Sequence, residues 1–205
     1  TASQAGNSNY NPAADVPQTL TVNKADQTIT FNSLPNKVYG DVDFNPSATA
    51  SSGLSVSYSS SNPAVATIAG NMIHIVEPGT SVITASQAGD ANYNSATDVP
   101  QSLTVNKADL TFTADNKTKD YMADLPELTY TVSGFVNSEN ESVLDVLPSI
   151  QTTALQDSPA GDYPITLSGG SDNNYNYLYV EGILTITLTS HKNIMYLFTP
   201  NNDSF

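Results

Sequence analysis

Thr84–Asp109, TASQAGDANYNSATDVPQSLTVNKAD, repeats Thr1–Asp26, TASQAGNSNYNPAADVPQTLTVNKAD. Starting at Thr1 and Thr84, the copies lie 83 residues apart. They differ at five positions: Asn7/Asp90, Ser8/Ala91, Pro12/Ser95, Ala14/Thr97 and Thr19/Ser102. Such a period is too long for a solenoid turn and close to one small β domain, so an array of consecutive modules is expected. Each copy joins a Gly-Asn-rich turn to an alternating run. In the first, Leu20 and Val22 share one face while Thr19, Thr21 and Asn23 take the other. Residues 1–24 therefore read as the C-terminal strand pair of a preceding repeat. Two strands do not fold alone, and an open edge invites strand addition. A chain beginning at Ala25 is expected to be the better-behaved monomer.

The 205 residues leave room for two ordinary β modules after that fragment. Hydrophobic residues make up 39%, and abundant Thr, Ser, Asn and Ala suit thin sheets with one wet face. Six Lys, no Arg and 20 acidic residues give a net charge of −14, which argues against nucleic-acid binding. An acidic surface favours solubility and can recruit divalent cations. The absence of Cys excludes a disulfide framework, thiol catalysis and Cys-based zinc sites. No run approaches the ~18 apolar residues of a membrane span, so membrane insertion is not expected.

From Ala25 to Lys107, short alternating runs are separated by turn chemistry. Strands are expected at Gln27–Phe31, Ser47–Ala50, Leu54–Tyr58, Val65–Ile68, Met72–Val76 and Ser81–Ala85, closed by the second copy of the repeat. Turns fall at Leu34-Pro35-Asn36, Tyr39-Gly40-Asp41, Asn62-Pro63, Ala69-Gly70-Asn71 and Glu77-Pro78-Gly79. Seven strands at this spacing, with no amphipathic helix, indicate an Ig-like β-sandwich over 25–107. The segments Gln27-Thr28-Ile29-Thr30-Phe31, Lys37-Val38-Tyr39-Gly40-Asp41, Ser60-Ser61-Asn62-Pro63 and Pro78–Ala85 resemble the bacterial Ig-like repeats of surface adhesins. That resemblance implies a non-enzymatic spacer or adhesive module.

Residues 108–189 share the opening and closing strands but differ between them. Strands are expected at Leu110–Ala114, Leu128–Val132, Ser149–Thr153, Tyr163–Leu167, Tyr177–Val180 and Ile183–Leu188. The Ser138-Glu139-Asn140-Glu141 capping box predicts a helix of about two turns ending at Pro148. Strand–strand–helix–strand–strand order fits a β-grasp-like module with one short helix. Leu128–Phe135, Gly161–Thr166, Asn174-Tyr175 and Gly182–Ile186 resemble the MBG family of bacterial surface modules. The family's Tyr-Gly turn is replaced by Asp120-Tyr121-Met122, which leaves a Met where the turn calls for positive φ. The tail, 190–205, changes character. Phe198-Thr199-Pro200-Asn201-Asn202-Asp203 resembles the opening of a gliding-motility-associated C-terminal domain, a type IX secretion sorting signal.

Candidate chemistry is sparse. His74 and His191 are far apart, and His74 alternates with Met72 and Val76 as a strand residue does. There is no nucleophile elbow, metalloprotease helix or phosphate loop, so neither catalytic nor cofactor-binding residues are expected. Asp41-Val42-Asp43-Phe44-Asn45 begins like a calcium loop, but Pro46 and Ser52 replace the required Gly and Glu. Asp41 and Asp43 remain as weak candidates for a looser calcium site. Tyr175, Tyr177 and Tyr179 alternate beside Asp172, Asn173 and Asn174. Tyr175 and Tyr177 can stack on a sugar if exposed, although period-2 aromatics usually mark a core face.

The expected function is thus a structural spacer in a secreted or surface-anchored bacterial repeat protein, whose main partners are neighbouring repeats. A glycan- or host-protein-binding adhesive module is the alternative. An accessory region of a secreted hydrolase is the weaker third reading.

Overall fold

A computed structural model describes residues 1–188. The tail resemblance at 198–203, Thr189 and His191 lie outside the described residues. In chain order the strands are β1 (Ala2–Gln4), β2 (Ala13–Val16), β3 (Ile29–Thr30), β4 (Lys37–Val38), β5 (Thr49–Ala50), β6 (Ser57–Ser60) and β7 (Ala66–Ala69). They continue as β8 (Met72–Ile75), β9 (Gly79–Ser86), β10 (Val99–Asn106), β11 (Ala108–Ala114), β12 (Lys117–Asp120) and β13 (Tyr130–Ser133). After a 3-10 turn at Glu141–Val143 come β14 (Ser149–Thr152), β15 (Gly161–Ser168), β16 (Tyr175–Val180) and β17 (Gly182–Thr187). The protein is mostly β, as its alternating sequence predicts.

The chain divides into two compact units. The first holds Thr1–Pro35, Asp43–His74 and Thr80–Leu103; the second holds Asn36–Val42, Ile75–Gly79 and the chain from Thr104 on. In the first, β3 pairs antiparallel with β5, β6 antiparallel with β9, and β9 also borders β10. Its buried residues, among them Phe31, Val56, Ile73, Ile83, Ala85 and Leu103, lie on single faces of their strands because side chains alternate. Phe31 meets Tyr58 edge-on at 5.9 Å. Gln27 is buried but fully engaged: its Nε2 donates to Gln87 Oε1 (2.9 Å) and the Asn94 carbonyl (2.7 Å), while its Oε1 accepts from Ser52 Oγ (2.5 Å).

The second unit places sheet β13-β11-β16 and sheet β12-β17-β15-β14 around one core. Leu110, Phe112, Ile165, Leu184 and Ile186 are at most 2% exposed, and each contributes about 1.5–3 kcal/mol of burial. Two long strands cross between the sheets. β11 leads through Asp115-Asn116 into β12, and β16 leads through Glu181 into β17. They run parallel with an unchanging offset: Ala108↔Tyr175 and Thr113↔Val180 in one sheet, Lys117↔Leu184 and Asp120↔Thr187 in the other, each 67 residues apart. Gly182 permits the crossover, since a Cβ there would lie 2.7 Å from the Ala114 carbonyl oxygen. Asn116 Oδ1 secures it by accepting the Ile183 N–H at 2.7 Å.

Three local expectations need correction. Residues 19–23 form no strand, and Leu20 and Val22 are 86% and 83% exposed. The two-turn helix is instead a single 3-10 turn capped by Asn140, whose side chain accepts the Ser142 N–H. Asn137 (φ 54°) and Ser138 (φ 61°) take left-handed backbone, which denies Ser138 the extended geometry of a cap. Strand β12, Lys-Thr-Lys-Asp, was not anticipated because it carries no apolar residue. Its buried Lys119 donates from Nζ to the carbonyls of Ala123 and Gln156, both at 2.8 Å. Met122 holds the left-handed conformation (φ 66°) that the Tyr-Gly turn requires.

Candidate functional site

The sites of greatest chemical density are two clips, one in each unit, built from Lys-Ala-Asp and a tight Asp-x-Asn-Tyr-Asn turn. In the second unit the turn is Asp172–Asn176. The Asp172 carboxylate accepts the N–H groups of Asn174 (2.7 Å) and Tyr175 (3.0 Å), closing an Asx turn. Its second oxygen accepts the Asp145 N–H at 3.3 Å. That turn then receives the module's first strand. Lys107 Nζ donates to the Asp172 carbonyl (2.6 Å), the Ala108 N–H to the Asn174 carbonyl (3.0 Å), and Asn176 Nδ2 to Asp109 Oδ1 (3.3 Å).

The first unit repeats the arrangement residue for residue. Asp90 Oδ1 accepts from Asn92 and Tyr93, both at 2.8 Å. Lys24 Nζ donates to the Asp90 carbonyl (2.6 Å), the Ala25 N–H to the Asn92 carbonyl (2.8 Å), and Asn94 Nδ2 to Asp26 Oδ1 (2.8 Å). Ala25 bridges Tyr93 in parallel, as Ala108 does Tyr175.

In the second unit the turn tyrosine feeds a buried polar cluster. Tyr175 is 2% exposed. Its hydroxyl donates to Glu139 Oε2 (2.5 Å) and accepts the Val136 N–H (3.1 Å). Tyr39 donates to the other oxygen, Glu139 Oε1, at 2.6 Å. The Tyr39 and Tyr175 rings meet edge to face with centroids 5.7 Å apart, and Phe135 meets Tyr175 likewise at 5.6 Å. Burial, reinforced by the Glu139 carboxylate, raises both phenols above their ordinary range. They stay protonated at neutral pH, and both donate to one carboxylate. This chemistry fastens and orients; it supplies neither a base nor a nucleophile.

The residues singled out by sequence fall as follows. Tyr175 lies in the core and offers no face to a ligand. Tyr177 is half-buried, with its ring 4.7 Å from that of Phe112. Its hydroxyl donates to the carbonyls of Val146 (3.2 Å) and Ser171 (3.3 Å), and burial pushes its pKa up to about 12. Asp41 accepts the Val38 N–H at 3.1 Å and stands 3.9 Å from Lys37 Nζ. Asp43, in the other unit, is bonded to His74 Nδ1 at 2.7 Å. Among the described residues no group of three His, Asp or Glu is placed to hold a metal ion. A cleft of about 460 Å³ beside Asn45, Tyr58 and Asn71 is lined by neutral side chains and backbone. Sequence reasoning named Asp172 only as a neighbour of the tyrosines and missed its role in the turn, along with the roles of Lys107, Glu139 and Tyr39. The available signal was a third occurrence of the turn motif at 172–176, after 7–11 and 90–94.

Residues 110–185 match the family model of the MBG domain (YGX type). The MBG domain is a module of bacterial surface proteins. The matched stretch runs from β11 into β17, so it contains most of the paired crossing strands and the Asp172 turn. No curated protein matches the chain.

Proposed function

We propose that this chain is a non-catalytic, load-bearing spacer of a secreted or surface-anchored bacterial repeat protein. Residues 25–107 serve as a bacterial Ig-like module and 108–189 as an MBG-type module, with neighbouring repeats as the principal partners. The observation that supports this most is the parallel pairing of β11–β12 with β16–β17 at a constant offset of 67 residues. Ala108 and Thr187 stand at opposite ends of that strand pair. Tension between them draws the two strands past each other and loads the ladder bonds together. Each such bond is worth only about 0.5–1.5 kcal/mol net, so sharing the load is what resists rupture. The Lys107 clip ties down the end where force enters.

Single-molecule pulling tests this reading. Force applied along the chain is compared with force applied through Asp109→Cys and Asn176→Cys, a registered pair on the same end of the ladder. The chain has no native Cys to compete as a handle. End-to-end pulling is expected to require distinctly higher force, because the paired handles break the bonds one at a time. Equal rupture forces in the two geometries would remove the mechanical argument. An adhesive role lacks comparable support, since Tyr175 and Tyr177 are both committed to protein contacts.

A further inference from the structure

The short segment Asn36–Val42 belongs to the second unit, although the chain on either side of it, through Pro35 and from Asp43, belongs to the first. Its anchor is Tyr39-Gly40. Tyr39 is 7% exposed and packs in the second unit's core. Its hydroxyl sits on Glu139 Oε1 at 2.6 Å, and its ring meets Tyr175 edge to face. Gly40 follows at φ 89°, and a Cβ there would lie 2.5 Å from the Val136 Cβ. The other side of this contact, Val136–Glu139, is a tight turn closed by the Glu139 N–H on the Val136 carbonyl (2.9 Å). Its two middle residues, Asn137 and Ser138, are both left-handed without being glycine. Such strain persists only where the surroundings fix it, and it gathers at binding sites. Here it brings Val136 and Glu139 together on the Tyr39-Gly40 turn.

We propose that the Val136–Glu139 turn and Tyr175 form a socket that recognises a Tyr-Gly turn of a neighbouring repeat, filled here by Tyr39-Gly40 from the 25–107 span. The Glu139 carboxylate selects the phenol, because a Phe in its place leaves one buried oxygen without that donor. Val136 selects the glycine, because any side chain at that position meets its Cβ. The chain carries its own counter-example. Tyr121-Met122 follows β12 as Tyr39-Gly40 follows β4: the Tyr39 N–H donates to the Asn106 carbonyl, and the Tyr121 N–H to that of Thr187. Met122 reaches a left-handed φ of 66°, so this kind of turn tolerates a side chain. The glycine at position 40 is thus demanded by the socket and not by the turn. A Tyr-Met turn carries a side chain where Val136 leaves no room and is barred from a socket of this kind. One residue thereby decides which repeats can stand before a socket-bearing module. The inference rests on the reading of neighbouring repeats as partners, not on load bearing, so the pulling experiment can fail without touching it.

The test transplants the second turn's residue into the first: Gly40→Met in the full chain, with 13C-labelled tyrosine rings followed by NMR at neutral pH. The Tyr39 signal is assigned by its loss in Tyr39→Phe. The expected result is that the Tyr39 ring moves to solvent-exposed shift values, while Tyr177, packed on Phe112, keeps its own. A Tyr39 ring that holds its native shift in Gly40→Met overturns the proposal. If Gly40→Met unfolds the second unit outright, a double-mutant cycle decides. Denaturant titration compares that unit's unfolding equilibrium constant in the unaltered chain, Gly40→Ala, Val136→Gly and the double variant. Gly40→Ala carries the same φ penalty in both backgrounds, so the cycle isolates the side-chain contact. The effect of Gly40→Ala should be roughly tenfold smaller beside Val136→Gly. An equal effect in both backgrounds places the whole cost in the backbone and overturns the proposal.

Discussion

In Thr84–Asp109, Val99–Asn106 is a strand with Leu103 and Val105 buried. In Thr1–Asp26, the matching Leu20 and Val22 are exposed and lie outside any strand. The hairpin base and the turn are the same in both. Gln4 pairs with Ala13, and the Ala96 N–H donates to the Gln87 carbonyl; the glycines share one left-handed φ, and each Gln side chain accepts its own Gly N–H. The turn folds from contacts two or three residues away, so it forms wherever its sequence occurs. The strand needs ladder partners from far along the chain, and near-identical residues leave it unformed without them. Local chemistry dictates turns, and neighbours dictate strands.

The largest effect that would break this comparison is in the paired leucines. Leu103→Ala is expected to cost about 2–5 kcal/mol of unfolding free energy by cavity formation. Leu20→Ala should change it by less than about 0.5 kcal/mol. Denaturant titration of the two variants measures both, and equal losses would mean the first copy is packed after all. Next come the turn glycines. A Cβ at Gly89 would lie 2.4 Å from the Tyr93 carbonyl oxygen, and one at Gly6 2.6 Å from that of Tyr10. Gly89→Ala should destabilise its module by about 1–3 kcal/mol through this clash and its positive φ. Gly6→Ala, equally strained locally, should leave the main melting transition in place, because its hairpin carries no core with it.

A smaller test extends the comparison to the second pair of equivalent turns. Tyr39-Gly40-Asp41 and Tyr121-Met122-Ala123 are both closed by an i-to-i+3 bond, Asp41 N–H to Val38 and Ala123 N–H to Asp120. Gly40 meets the left-handed requirement without cost, whereas Met122 meets it under strain. Met122→Gly should raise the melting temperature, by up to about 1 kcal/mol of stability. No gain would show that Met122 side-chain contacts outweigh its backbone strain.

The smallest effect in ordinary buffers concerns the tyrosine cluster. Its phenols have folded pKa values raised above the unfolded 10.0, to about 12 for Tyr177. Proton binding thus favours the folded state, and the contribution is complete below pH 10. It should fall away between pH 10 and about 12. Thermal melts across that range should show the second unit failing first. A stability that stays flat to pH 12 would contradict the burial assigned to these rings.

Much of the architecture was legible in the sequence because alternation and turn chemistry are local signals. The strands over Leu110–Ala114, Tyr163–Leu167 and Ile183–Leu188 follow from period-2 apolar residues; the structure extends the first two, and shifts the last by one residue to Gly182–Thr187. The 138–147 helix failed because left-handed backbone at Asn137 and Ser138 overrode a capping pattern. β12 escaped notice because its one buried residue is a lysine, satisfied by the carbonyls of Ala123, four residues on, and of the distant Gln156. At the candidate site, Tyr175 and Tyr177 were found as residues, but their roles were not. The ligands that hold them, Glu139, Val136 and Val146, come from loops about 30–40 residues earlier, which no periodicity connects.

The constant 67-residue offset between the first and last strands also governs when a module can fold. β12 has no ladder partner until β17 exists, and β11 has only β13 before β16, so the final strand must emerge before the structure can close. Closing so long a loop before any ladder bond rewards it makes for slow, all-or-nothing assembly. A nascent module therefore stays incomplete until its last strand arrives and then locks as a unit. A module built this way becomes rigid only after its end has been made.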